Sequence, residues 1–176
     1  DGVYWCYAGM GIVQKQSGNF NDAILCYNKA LKVAQEAGMK NAEAYCYNNL
    51  GNVYRKQGDF AKAMEAFEKA ITKFNALDEK LAASDCLNNI GNLYLDKGDP
   101  FRALEYYNRS LNFEEVRNDD YRMIIRSKNL ADAYTELKDY ENAEQFLDDA
   151  TKLAEKAGDK SNLASCYAQY GKLHKA

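Results

Sequence analysis

Tyr47-Asn48-Asn49-Leu50-Gly51-Asn52-Val53-Tyr54-Arg55-Lys56-Gln57-Gly58-Asp59-Phe60 returns, altered, as Leu87-Asn88-Asn89-Ile90-Gly91-Asn92-Leu93-Tyr94-Leu95-Asp96-Lys97-Gly98-Asp99-Pro100. The offset is 40 residues, and it holds outward in both directions. Steps of 40 from Gly11 reach Gly51, Gly91, Ala131 and Gly171, and steps of 40 from Ala23 reach Ala63, Ala103 and Ala143. A fixed period of this size across a whole chain is the signature of a repeat array, in which each unit packs on its neighbours and not around one central core.

Within a repeat the apolar pattern is helical. Tyr47, Leu50 and Tyr54 fall at i, i+3 and i+7, one face of a first helix, and Gly51 lies on the same face. A glycine inside a helix costs about 1 kcal/mol against alanine. Its recurrence therefore implies close approach of another helix, which a side chain would block. Phe60, Ala63, Phe67, Ala70, Ile71 and Phe74 mark an amphipathic second helix. The other repeats copy it, with Phe20, Ala23, Tyr27, Ala30 and Leu31, with Phe101, Leu104, Tyr107 and Leu111, and with Tyr140, Ala143, Leu147 and Ala150. Gly18-Asn19, Gly58-Asp59, Gly98-Asp99 and Lys138-Asp139 separate first from second helices. Glycine suits a helix C-terminus, and Asn or Asp suits the N-cap that follows. The pattern predicts helices at 3–17, 20–37, 41–57, 60–77, 81–97, 100–117, 121–137, 140–157 and 161–175. Their short links force antiparallel neighbours. The expected fold is all-α, with no strand and no domain boundary in 1–176.

Composition agrees. The chain has 176 residues, 47% hydrophobic and 28% charged, with a single proline. That proline, Pro100, follows Gly98-Asp99 and fits the first position of a helix, where its missing N–H costs nothing. The net charge of −3 mixes 23 basic with 26 acidic residues, and no basic block argues for nucleic acid. No apolar run is long enough to span a membrane, and no signal peptide is visible. The chain opens already in register at Tyr4, which reads as a piece of a longer array. Cys6, Cys46, Cys86 and Cys166 share one phase of the period, broken only by Arg126. Stacked helices pack about 8–10 Å apart, too far for a disulfide, and no zinc-ligand spacing is present. The row reads as small apolar residues at helix contacts. Unpaired thiols point to a reducing compartment, so a cytoplasmic location is expected.

Leu50-Gly51, Tyr54, Ala63, Phe67 and Ala70, with Gly58-Asp59-Phe60 between them, resemble the tetratricopeptide repeat. Tyr47 stands where that motif usually has Trp. The resemblance covers four repeats (4–43, 44–83, 84–123, 124–163) and half of a fifth (164–176). It departs in its length, since the usual period is 34 residues, and in its fourth repeat, where Ala131 and Lys138 replace glycines. The longer period is similar to that of kinesin light chains, Pins/LGN-type scaffolds and bacterial regulators or sensor input domains. The resemblance implies a right-handed α-solenoid whose first helices line a concave groove.

In the second repeat Asn48, Asn52 and Arg55, at i, i+4 and i+7, lie off the packing face. Their echoes are Asn88, Asn92 and Leu95, then Lys128, Asp132 and Thr135, then Ala168, Lys172 and Lys175, with Ala8, Ile12 and Lys15 in the first repeat. An asparagine amide both donates and accepts, so Asn48, Asn52, Asn88 and Asn92 suit the backbone of an extended peptide. Arg55, Lys15, Lys128 and Lys172 suit carboxylates on it. The alternative is that these asparagines only serve the repeat consensus. Asn49, Asn89 and Asn129 are expected to bond within the helix stack. A chaperone-type carboxylate clamp would need Lys and Asn where Ala8 and Ile12 stand. Asp132 and Glu136 sit at i, i+4 but read as a solvated face. No phosphate loop and no H-E-x-x-H sequence is present, so no catalysis, metal or cofactor is expected. The expected function is capture of a protein or peptide partner, with self-association, as a homo-oligomer or signal-input module, as the alternative.

Overall fold

The computed structural model describes residues 2–113, 116 and 118–174. Among these, nine helices follow one another: α1 (Gly2–Gln16), α2 (Phe20–Glu36), α3 (Lys40–Gln57), α4 (Phe60–Ala76), α5 (Lys80–Asp96), α6 (Pro100–Leu111), α7 (Asp120–Glu136), α8 (Tyr140–Ala157) and α9 (Lys160–Leu173). No strand occurs among the described residues, so the all-α expectation holds.

The one helix that departs clearly from its predicted length is α6, which stops at Leu111. In register, Ala34, Phe74 and Ala154 are wholly buried near the ends of the other second helices. The corresponding residue of the third repeat is Glu114, outside the described residues, and a carboxylate there would be costly to bury. Val116 is wholly buried. The rest of the predicted helix beyond Phe113, apart from Val116, and the predicted Lys175 position also lie outside the described residues.

The turns follow their chemistry. Gly58 ends α3 in the left-handed region at φ 78, and Asp59 accepts the Lys62 backbone N–H at 3.2 Å to cap α4. Asp99, Asp119, Asp139 and Asp159 cap α6, α7, α8 and α9 in the same way. Asn19 does not cap α2, contrary to expectation; its amide donates to the Gln14 side chain at 2.9 Å. Asp78 at φ 55 and Lys138 at φ 59 adopt the left-handed conformation without being glycine.

The chain forms two compact units, Asp1–Asn89 and Ile90–Ala176. In the first, Tyr4 and Ala8 of α1 pack with Ala30 and Ala34 of α2 and with Ala42 and Cys46 of α3. Ala23 and Tyr27 of α2 meet Leu50 and Val53 of α3. Ala44 of α3 meets Ala70 and Phe74 of α4 and Cys86 of α5. In the second unit, Ala103 and Tyr107 of α6 pack on Leu130 and Ala133 of α7. Ile124 of α7 packs with Ala150 and Ala154 of α8 and Cys166 of α9.

The helical glycines explain the tight approach. A Cβ on Gly11 would lie 2.7 Å from the Tyr27 ring, one on Gly51 2.6 Å from Phe67, and one on Gly91 2.4 Å from Tyr107. Each ring is fully buried, and full burial of a large apolar side chain contributes about 1.5–3 kcal/mol. In the fourth repeat Ala131 stands opposite the smaller Leu147, and the two share one buried cluster.

Two packing expectations need correction. Phe101 is 74% exposed, because Pro100 takes the slot that Phe20, Phe60 and Tyr140 fill in the other repeats. Cys6 is exposed, whereas Cys46, Cys86 and Cys166 are buried as expected, and all five thiols are free.

Candidate functional site

The polar residues predicted to face a ligand stand on the first helices of the repeats, and each unit carries its own set. In the first unit Lys15 ends α1, Asn48, Asn52 and Arg55 lie on α3, and Asn88 lies on α5. Lys15, Asn48, Asn52 and Arg55 are half-buried. Burial lowers the Lys15 ammonium pKa below its usual value, and the nearby Arg55 charge lowers it further. The two cations are thus brought together.

The asparagines divide into different roles. Asn88 is only 5% exposed, so it does not present its amide on an open face. The Asn48 side-chain oxygen accepts from the Asn89 amide at 3.0 Å, tying α5 to α3. Asn89 therefore bonds within the stack, as expected. The Asn52 amide donates back to the Asn48 backbone carbonyl at 3.2 Å. The same first helix carries a buried ion pair that the sequence pattern did not reveal. Glu43, whose side chain is 3% exposed, meets Lys73 at 2.6 Å and Lys40 at 3.1 Å. The Lys73 hydrogen bond holds its carboxyl below the usual value against the opposing effect of burial.

In the second unit Asn92 is already engaged, since its side-chain oxygen accepts the Tyr107 hydroxyl at 2.8 Å. Lys128, Asp132 and Lys172 come together. The Lys128 ammonium donates to the Asn162 side-chain oxygen at 3.1 Å, and its backbone carbonyl accepts from the Gln169 amide at 3.3 Å. Burial pushes the Asp132 carboxyl above the usual value, against the pull of the Gln169 amide and the Lys172 and Lys128 charges, and Glu136 adds to the rise. A cavity of about 420 Å³ opens beside Asp132, with Thr135, Glu136, Gln169 and Lys172 on its wall.

Gln169 was missed from the sequence, although a signal existed. It is the 40-residue echo of Asn49, Asn89 and Asn129, a row of carboxamides. Asn89 reaches back 41 residues to Asn48, and Gln169 reaches back 41 residues to Lys128. The Asn92–Tyr107 bond carried no such signal, because the two residues lie in different rows of the period.

A tetratricopeptide repeat model matches residues 4–76 and 41–115, and a second such model matches 129–156. The chain belongs to the tetratricopeptide repeat family. No curated protein matches it in sequence. Solved structures share the tetratricopeptide solenoid fold. BtubC (BKLC) from P. vanneervenii is 24% identical with a TM-score of 0.72, covering 89% of this chain and 65% of that one. The Rap conjugation gene regulator of plasmid pLS20, in complex with the Phr* peptide, is 16% identical with a TM-score of 0.87, covering 98% and 47%. Aspartyl phosphate phosphatase F from Bacillus subtilis is 15% identical with a TM-score of 0.85, covering 94% and 44%. The tetratricopeptide chain thus spans between 44% and 65% of the lengths of these three proteins. No helix among the described residues is long and apolar enough to cross a membrane.

Proposed function

We propose that the chain is a non-catalytic protein–protein interaction module, which holds a peptide segment of a partner against the polar faces of its first helices. The observation that carries this reading is the division of labour on those helices. Packing uses one face, with Leu50, Gly51 and Val53 of α3 buried. The half-buried polar residues Asn52 and Arg55, and Asp132 on α7, sit off that face. Half-buried polar groups on a stiff helical scaffold are partly desolvated and pre-positioned, which lowers the cost of binding. The likeness in fold to a regulator solved with a peptide adds support, as an analogy.

Selection from a displayed library of random twelve-residue peptides tests this. Binders should emerge against the native chain and lose at least tenfold in affinity to an Asn52→Ala, Asp132→Asn variant of unchanged melting temperature. Failure to enrich any peptide, or binders indifferent to both substitutions, would count against the reading. Asn92→Ala is a poor probe, because it removes the acceptor of the Tyr107 hydroxyl bond.

Self-association is the second reading, and α1 favours it. Met10 and Val13 are 52% and 58% exposed, while Leu50 and Val53, their echoes on α3, are 4% and 0% exposed. Trp5 on the same helix is 68% exposed. Light scattering over a concentration series tests it; a constant monomer mass at high concentration removes it.

A further inference from the structure

The exposed face of α1 is built unlike the faces of the other first helices. Residues seven apart on a helix lie nearly in line, two turns from each other. Gly2 and Gly9 form one such row on α1, with Trp5 and Ile12 along one side of it and Cys6 and Val13 along the other. All six are exposed, Ile12 at 42%. In register, Cys46 and Val53 on α3 and Cys86 and Leu93 on α5 are buried. The one charged residue of α1 is Lys15, which lies off this face.

Gly9 supplies an independent observation. It stands where the other first helices carry Asn49, Asn89, Asn129 and Gln169. Asn89 and Gln169 each tie their helix back to the preceding first helix. Gly9 has no side chain for such a tie, and a Cβ built on it would meet nothing within 4 Å. A glycine inside a helix lowers its stability against alanine, and no contact within the chain requires one here. What Gly9 leaves is room, at the middle of the face, for the backbone of another helix.

We infer that this face pairs with the same face of a second copy, in an antiparallel helix contact whose two-fold axis passes at Gly9. An isologous contact needs a self-complementary surface. Inverting one helix about residue 9 sets Trp5 beside Ile12 of the second copy and Cys6 beside Val13 of the second copy, while the two Gly9 backbones meet at the axis. No charge is brought against its own image, since the face carries none, and antiparallel helices oppose their dipoles. A charged partner would find nothing here to pair with. Trp5 is already held by an edge contact with the Tyr4 ring, 5.0 Å between centroids, so little freedom is lost when it serves as the anchor. The exposed surfaces of the six residues on two copies come to roughly 1,000 Å², the lower bound for a specific interface, so the dimer depends on concentration. The inference rests on the self-association reading and names its contact.

Trp5 is the chain's single tryptophan, so its fluorescence reports on this face alone. As the concentration of the whole chain rises, its emission should move to shorter wavelength in step with a doubling of mass in light scattering. Gly9→Glu sets two carboxylates against each other at the axis and should weaken the dimer at least tenfold, with the circular dichroism of the monomer unchanged. Val13→Cys places a thiol beside Cys6 of the second copy, so oxidation with copper phenanthroline should link two chains. The link should be lost when Cys6→Ser is added. The native chain should not link, because its two Cys6 thiols lie to either side of the axis. A dimer that survives Gly9→Glu, leaves the tryptophan emission unmoved or fails to link through Val13→Cys overturns the inference and leaves the self-association reading standing. Assembly beyond two copies does the same. A constant monomer mass at high concentration removes both and assigns the face to another occupant.

Discussion

The contact of Gly51 with Phe67 allows a prediction with a worked magnitude. In Gly51→Ala the new methyl would stand 2.6 Å from the ring, about 0.8 Å inside ordinary contact. Phe67 is 0% exposed, so the ring has no free space to enter. Overpacking of this kind costs about 1–3 kcal/mol. The helix gains about 1 kcal/mol in propensity from alanine, so the net loss is about 0–2 kcal/mol. For a chain of this length that lowers the melting temperature by up to roughly 8 °C.

The fourth repeat supplies the compensating change, since Ala131 there shares its cluster with Leu147. Phe67→Leu alone should cost about 1–2 kcal/mol through lost burial and an unfilled hollow. The double variant should restore fit, and its stability should equal or exceed that of Phe67→Leu. The coupling should reach about 1–2 kcal/mol, well above the additivity error for independent sites. Thermal and urea unfolding followed by circular dichroism measures all four corners of the cycle. A stabilised Gly51→Ala single variant would refute the reasoning. So would costs that simply add, because the glycine would then serve something other than the ring.

Three more predictions concern single positions. Lys138 holds φ 59 where other repeats have glycine, so Lys138→Gly should raise stability by about 1 kcal/mol in urea unfolding. The Tyr27 hydroxyl is buried without a partner, so Tyr27→Phe should be neutral or stabilising by about 1 kcal/mol, whereas Tyr107→Phe should cost about 1 kcal/mol by stranding Asn92. The carboxyl of Glu43 is depressed below its ordinary value of 4.5 by Lys73, so its contribution is fully present above that pH and is lost as pH falls through the lower, folded value. Lys73→Met should cost about 2 kcal/mol near neutrality and flatten that part of the acid unfolding curve.

The packing code was readable because it is local and periodic. Gly11, Gly51 and Gly91 each meet a ring 16 residues later, and the spacing repeats with the period. The turns were readable for the same reason, although Asn19 shows that a suitable residue type does not guarantee a cap. Phe101 misled because one proline displaced the aromatic slot by one residue. The Glu43–Lys73 pair was not readable, since it occurs once and no echo announces it.

The polar face was hardest to read because each residue's role depends on its partner 15 positions on. In the first repeat Ile12 precedes Tyr27, and the tyrosine hydroxyl is left without a protein partner. In the third, Asn92 precedes Tyr107 and is taken up by its hydroxyl. In the second and fourth, Asn52 and Asp132 precede Phe67 and Leu147, which have nothing to offer a polar side chain. An asparagine ladder read from one row alone therefore overstates the binding surface. Pairing that row with the ring row removes Asn92 from it, and burial removes Asn88. Asn52 and Asp132 remain, each opposite an apolar residue and so without the ring-hydroxyl bond that takes up Asn92. A binding function has room to be written at those two positions, and substitutions there separate recognition from stability most cleanly.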